Sequence, residues 1–284
     1  MVDPRGGYDR EDRVLAGLKA FVLALGGFSL EVSGASLVTH ERALAPLFNY
    51  VSVDNVGPDR QAAFFERALD HYFQRALRPR VLTRTPTPAH LDEGLRRFGF
   101  RPAEEPVLLL EASAPPAGAE VPGPFEVARL APTELARIVP FWASERERPE
   151  IARAFEVLAF HPNPGETFAP LVAARDGRDL ASAVLYSDGR VAGLHGIGTV
   201  PAGRGLGAAS ALVGHALRHE FPAGVGALGT LLRDRRGADR LERLGFDLVG
   251  TRTEYVLPDS VDLRFPPPGP PTPPRWRPPR GLPD

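Results

Sequence analysis

Apolar residues recur at two different periods along the chain, and each change of period marks an element boundary. NYVSV at 49–53 reads as a strand, turned at Asn55, Gly57 and Pro58. Phe65, Leu69, Tyr72 and Ala76 then fall at helical spacing until Pro79 stops the helix. A short strand RVLTRT (80–85), a helix opened by Thr87-Pro88 and the run RRFGF ending on Gly99 and Phe100 follow. A strand PVLLLE (106–111) closes the unit.

The same order returns later. VAGLHGIGTV (191–200) reads as a strand meeting the loop PAGRG, and Leu206, Ala209, Val213, Ala216 and Leu217 share one helical face. The strand VGALGTLL, a short helix, ERLGF ending on Gly245 and Phe246, and the strand TEYVL complete this second series. The loop glycine and the glycine before the terminal Phe are 42 residues apart in the first series (57 to 99) and 40 in the second (205 to 245). Agreement in both order and spacing indicates an internal duplication.

Upstream of the second series, FEVARL (125–130) reads as a strand, and 133–146 and 150–160 as helices. TFAPLVAAR and DLASAVLYS form a hairpin turning at Asp176-Gly177. Strands outnumber crossover helices, so the expected class is α+β, two units each with a mostly antiparallel mixed sheet flanked by helices.

Composition locates the boundaries. Ten of the 31 prolines lie in 266–284, a stretch that cannot donate a hydrogen-bond ladder and reads as a disordered Pro-rich C-terminal tail. EASAPPAGAEVPGP (111–124) has no periodicity and reads as a linker. The expected division is 1–112, a linker at 113–124, 125–258, and a tail at 259–284. With no Cys, disulfides, thiolate-bound metal and thiol nucleophiles are excluded. His215 and His219 have zinc-like spacing, but no H-E-x-x-H pattern or third ligand accompanies them, and they read as a solvated helix face without a metal. A formal charge of −1 gives no field for nucleic acid or a membrane surface. The apolar run Ala20 to Phe28 is far below the ~20 residues of a span. A soluble, cytoplasmic protein is expected, and an oligomer is compatible with the sequence.

The richest chemistry lies in T-V-P-A-G-R-G-L-G-A-A (199–209), between strand and helix. Gly203, Gly205 and Gly207 allow close backbone approach, the helix beginning near Leu206 aims unpaired N–H groups at an anion, and Arg204 adds a cation. A pyrophosphate suits this arrangement; a tight structural turn is the plainer reading. A dinucleotide fold could claim Gly203, Gly205 and Ala208, yet its fingerprint belongs on a first strand with several βαβ units to follow. No Walker G-K-[ST] is present.

Strand, glycine loop, helix, strand, short helix and L-G-F together resemble the coenzyme A-binding half of the GNAT superfamily of N-acetyltransferases, whose loop runs like T-x-P-x-x-R-G-x-G-x-G. Thr199, Pro201, Gly203, Gly205, Gly207 and Ala208 carry the likeness, with GADRLERLGF (237–246) downstream. It covers about 125–257. The first series shares R-R-F-G-F but has only Gly57 in its loop, as in a degenerate GNAT half of a tandem protein. The resemblance implies acetyl-CoA as cosubstrate and a small-molecule primary amine as acceptor. The backbone of Ile197, Gly198, Thr199 and Val200 would pair with pantetheine amides on a strand splayed from its neighbour. The N–H groups of Gly203, Arg204, Gly205, Leu206, Gly207 and Ala208 would hold the pyrophosphate. The amine attacks the thioester directly, so a lack of Cys is no obstacle.

For acid–base work the candidates are His195, read as mid-strand on the same side as Ile197 and Thr199, Tyr186 on the preceding strand, and Asp234 near a helix start. Burial in the sheet is the bland reading for His195 and Tyr186. The family's tyrosine acid falls at Leu241 and its usual Gln or Arg at Ala202. An alternative therefore stands beside the acetyltransferase: a catalytically weakened acyl-CoA-binding protein. Glu145, Glu147 and Glu150 lie where the family places acceptor helices and also read as an exposed face.

Overall fold

Asp9 opens the first helix: its carboxylate accepts from the Asp12 N–H at 2.9 Å, and α1 (Arg10–Ala24) buries Val14, Leu15, Leu18, Phe21 and Val22 along one stripe. The computed structural model describes residues 9–41, 48–54, 56–113, 124–142, 165–221 and 225–258, with 152, 153, 155, 156 and 159. After α1 come β1 (Phe28–Val32), β2 (Ala35–Thr39), β3 (Tyr50–Val53), α2 (Gln61–Phe73), β4 (Arg80–Arg84), α3 (Ala89–Arg97), β5 (Arg101–Pro102) and β6 (Val107–Ala112). The second series holds β7 (Glu126–Arg129), α4 (Val139–Trp142), β8 (Thr167–Arg175), β9 (Arg178–Ser187) and β10 (Ala192–Thr199). It ends with α5 (Ala208–His219), β11 (Leu228–Leu232), α6 (Arg235–Glu242) and β12 (Asp247–Val256). This is the expected mixed α+β class. The linker, apart from Ser113 and Pro124, and the tail lie outside the described residues, as do Glu145, Glu147 and Glu150.

All twelve strands form one sheet in the order β1-β2-β3-β4-β12-β6-β11-β10-β9-β8-β7, with β5 on β12. The two series exchange their last strands. β6, from the first, pairs with β11 of the second from Leu108↔Leu232 to Ala112↔Leu228. β12, from the second, pairs with β4 of the first from Arg252↔Arg84 to Val256↔Arg80. The exchanged strands meet antiparallel, Val107 opposite Arg252 and Glu111 opposite Asp247.

One face of this sheet carries α1 and its core of Phe21, Val38, Phe48, Tyr50, Leu109, Val172, Val184 and Tyr186, drawn from both series. Contact is close: a Cβ at Gly229 would lie 3.0 Å from Val14 Cα, and one at Gly17 would lie 3.2 Å from the Ala192 carbonyl oxygen. The opposite face is covered over the second series by α5 and α6 (Leu212, Val213, Ala216, Leu241) and over the first by α2 and α3 (Phe64, Phe65, Leu69, Leu95). On the α1 face the exchanged strands carry three buried charges, each paired. Glu111 accepts from Arg10 and Arg13, Arg252 meets Glu11 and Asp54, and Glu254 meets Arg80 and Arg233.

Two expected elements differ. Of the helix expected at 133–146, the described residues form a 3-10 turn over Pro132–Arg137 and then α4, and 143–146 lie outside the described residues. Pro140 has no N–H for the ladder, which accounts for a break within that stretch. The helix expected to reach Ala76 ends at Phe73, with Ala76 itself at φ +52°.

Candidate functional site: a groove at the parting of two strands

β10 and β11 pair in parallel only at Ala192↔Leu228 and Gly193↔Gly229. Beyond that point they part, and the Thr230 hydroxyl donates to the Leu194 carbonyl at 2.7 Å at the base of the gap. The expected splay of the strand ending at Thr199 is therefore present. In the first series, β3 and β4 stay paired at four consecutive positions, Tyr50↔Arg80 to Val53↔Thr83. Pairing there continues to four residues before Gly57, whereas β10 leaves β11 twelve residues before Gly205.

A groove of about 450 Å³ opens along the parted strands on the α5 side. Ile197 and Thr199 of β10 and Leu232 at the end of β11 form its walls. Gly203, Arg204, Gly205 and Gly207 carry the loop over it, and Ala208, Ala209 and Ser210 present the start of α5. Asp234, Arg236, Gly237, Arg240 and Leu241 close it from α6.

The loop is built by backbone geometry. Pro201–Gly203 forms one 3-10 turn, and Gly205 (φ +78°) and Gly207 (φ +94°) take the left-handed conformation that only glycine enters freely. A Cβ at Gly205 would meet nothing within 4 Å, so the space beside it is open. Gly207 is the N-cap of α5 and offers no side chain, and the first helical bond runs from Ala211 N–H to the Gly207 carbonyl. The amides of Ala208, Ala209 and Ser210 precede that bond and end a helix whose positive pole faces the groove. Arg204, Arg236 and Arg240 line the same space. The Asp234 carboxylate caps α6, accepting from Arg236 N–H at 3.0 Å and Gly237 N–H at 3.1 Å. The site thus brings the free N–H groups of a helix start and three arginines to one end of the slot walled by Ile197, Thr199 and Leu232.

Of the residues singled out in the sequence, the groove gathers Ile197, Thr199, Gly203, Arg204, Gly205, Gly207, Ala208 and Asp234. Gly198, Val200 and Leu206 belong to the same strand and loop without lining it. His195 and Tyr186 lie on the other face of the sheet. The reason is a β-bulge: β10 pairs His195 with Val184 and Gly198 with Ser182, so Gly196 and Ile197 together oppose one residue, and Gly196 takes φ +60°. The bulge turns Ile197 to the groove and leaves His195 facing α1, correcting the expectation that they share a side. His195 is 3% exposed and stacked on Phe21, and among the described residues its Nε2 has no hydrogen-bond partner. Burial pushes its pKa down to about 3. The Tyr186 hydroxyl donates to Glu166 at 3.0 Å and is held protonated by burial and that carboxylate.

Sequence reasoning missed Arg236 and Arg240. Their signal was their four-residue spacing on α6, which puts both on one helical face.

Residues 133–246 match the model of the acetyltransferase (GNAT) family, so the chain carries a GNAT domain there, in a fold that supports acyl transfer. No curated protein matches the sequence. Several solved structures share the fold. One is a GCN5-related N-acetyltransferase from Kribbella flavida, with TM-score 0.58 and 18% identity, covering 87% of this chain and 96% of that one. Another is a GCN5-related N-acetyltransferase from Sphaerobacter thermophilus, with TM-score 0.55 and 14% identity, covering 90% and 94%. A third is a GNAT-family protein from Novosphingobium aromaticivorans, its structure titled a putative acetyltransferase, with TM-score 0.53 and 16% identity, covering 89% and 98%. Among the described residues no helix is long and apolar enough to cross a membrane.

Proposed function

We propose that the second series binds acetyl-CoA in the β10–β11 groove and transfers the acetyl group to a primary amine of a small molecule. The observation that carries this reading is the coincidence of a parted strand pair, an open left-handed glycine loop and an uncapped helix N-terminus around one groove.

These residues fit the thioester from end to end. Amides at Gly205, Gly207 and the start of α5, with Arg204, Arg236 and Arg240, suit a pyrophosphate. At Ile197–Thr199 the edge of β10 that faces away from β9 has no strand beside it, and it offers the pantetheine arm the partners that β11 withholds. When bound, acetyl-CoA supplies an activated acyl carbon that an amine attacks without a covalent enzyme intermediate. Backbone N–H groups near Ile197 and Gly198 stabilise the developing oxyanion. The buried, neutral His195 takes no part in moving the amine proton while Phe21 covers it, and that proton leaves through water.

The first series, with β3 and β4 closed on each other, has no gap for a pantetheine arm. We therefore read it as a degenerate half that supplies β4 and β6 to the shared sheet and α1 to the core on one of its faces.

Leu241 favours a second reading, an acyl-CoA-binding protein with weak catalysis, because it lines the groove with no acid at the family's tyrosine position. Thiol release from acetyl-CoA with an amine panel separates the two. Release above the no-amine background supports the enzyme; binding without release supports the second reading.

A further inference from the structure

Two helices begin at the groove, and only one of them is open to an anion. α5 has Gly207 as its N-cap, and its first amides accept no side chain, whereas at α6 the Asp234 carboxylate takes the N–H groups of Arg236 and Gly237. The α6 wall can therefore draw an anion only through side chains. Those present are Arg236 and Arg240, four residues apart, both exposed and both lining the groove. Among the described residues neither forms an ion pair or a side-chain hydrogen bond, and the same holds for Arg204 on the loop. The other carboxylates of α6 are committed elsewhere: Arg235 meets Asp239 at 2.8 Å and Glu242 at 3.4 Å. The charged residues that line the groove are thus three unpaired arginines and Asp234, whose two oxygens are already taken by backbone N–H groups.

This is more cation than a diphosphate needs. The loop amides, the start of α5 and Arg204 already present one wall to it. Arg236 and Arg240 stand on the other wall, on long side chains with no free backbone donor beside them. Such an arrangement suits a terminal phosphate group better than one threaded close along the main chain. A phosphomonoester offers three acceptor oxygens and carries about −1.5 to −2 charge at pH 7, enough for two guanidinium forks. We propose that Arg236 and Arg240 form a second anion subsite that reads the 3′-phosphate on the ribose of the cosubstrate, so that the chain selects CoA over carriers that lack this group. Side by side on an empty helix the two cations repel each other, and an anion between them relieves that repulsion. The proposal rests on the acetyl-CoA reading of the groove and adds to it the residues that select the nucleotide end.

The test is calorimetric titration of CoA and of 3′-dephospho-CoA into the full chain at one fixed salt concentration. Losing a charge-assisted contact corresponds to about 10–100-fold, so wild type is expected to bind CoA more tightly than dephospho-CoA by that ratio. The double variant Arg236→Gln, Arg240→Gln should bring the ratio to within about threefold, through weaker binding of CoA, with dephospho-CoA changed by less than about threefold. Replacing both by lysine should restore part of the preference. Arg243→Gln removes the same charge from an exposed residue of this segment outside the groove and should leave the ratio as in wild type. Because both groove arginines are exposed, the double variant is expected to fold, which its melting temperature checks. An equal fall for both ligands in the double variant would assign these arginines to the diphosphate and overturn the proposal, as would an unchanged ratio or a matching collapse in Arg243→Gln. Equal binding of the two ligands by wild type overturns this proposal alone. Binding of neither overturns the groove reading and this proposal with it.

Discussion

Phe21 lies flat on His195, ring centroids 4.4 Å apart and planes 7° from parallel. This contact joins a helix at the start of the chain to the strand that forms one wall of the groove. It also seals an imidazole from water and holds it neutral, with a pKa near 3.

Acid should therefore destabilise the protein through this residue. An unfolded chain takes up the proton near pH 6.5, but the folded chain does so only near pH 3, so below 6.5 the unfolded state binds more protons. Stability is expected to fall by about 1.4 kcal/mol per pH unit through this window and to be unaffected by His195 above it. Urea unfolding of wild type and His195→Leu between pH 7 and pH 5 measures the difference. A gap between the two that does not change with pH would contradict the burial.

Phe21→Ala should both loosen the core and uncover the ring. A loss of about 3–5 kcal/mol is expected from the removed side chain. Titration of the His195 ring protons by NMR should move up toward the ordinary histidine range. A pKa that stays near 3 would show that something other than Phe21 keeps water out.

Strand exchange makes the two series one cooperative unit. Residues 1–113 lack β12, and 124–284 lack both β6 and α1, so each fragment leaves sheet edges and apolar faces uncovered. Neither fragment alone is expected to give the sheet signal of the full chain in circular dichroism, and mixing the unfolded fragments should restore it. Independent folding of 124–284 with cooperative melting would refute this.

Leu241 is buried and lines the groove. Leu241→Tyr places a hydroxyl at the position where the resemblance to the GNAT family leads us to expect its acid, and should raise the rate of acetyl transfer by about 10-fold or more. Unchanged thiol release at matched acetyl-CoA occupancy would mean that this side chain does not face the leaving thiolate.

The groove was legible because its chemistry is local. Three glycines between a strand and a helix signal tight backbone wherever the rest of the chain lies, and two of them, Gly205 and Gly207, are left-handed. The side of the sheet that His195 faces was not legible, because strict alternation carries no sign of the bulge at Gly196. α1 was overlooked although Asp9 and the spacing of Val14, Leu18, Phe21 and Leu25 announced it. The exchange of β6 and β12 depends on which of two similar edges each strand meets. That choice lies in pairing between residues far apart in the chain, Leu108 with Leu232 and Arg84 with Arg252, and periodicity along a strand does not record it.

Equilibrium binding of acetyl-CoA by calorimetry tests the central claim most directly, with Gly205→Val as the comparison. The valine side chain would enter open groove space at φ +78°, a backbone setting that costs an L-residue about 1–2 kcal/mol. The account expects saturable one-site binding by wild type and affinity at least about tenfold weaker in a folded Gly205→Val. No binding by wild type, or equal affinity in the two proteins, would contradict it.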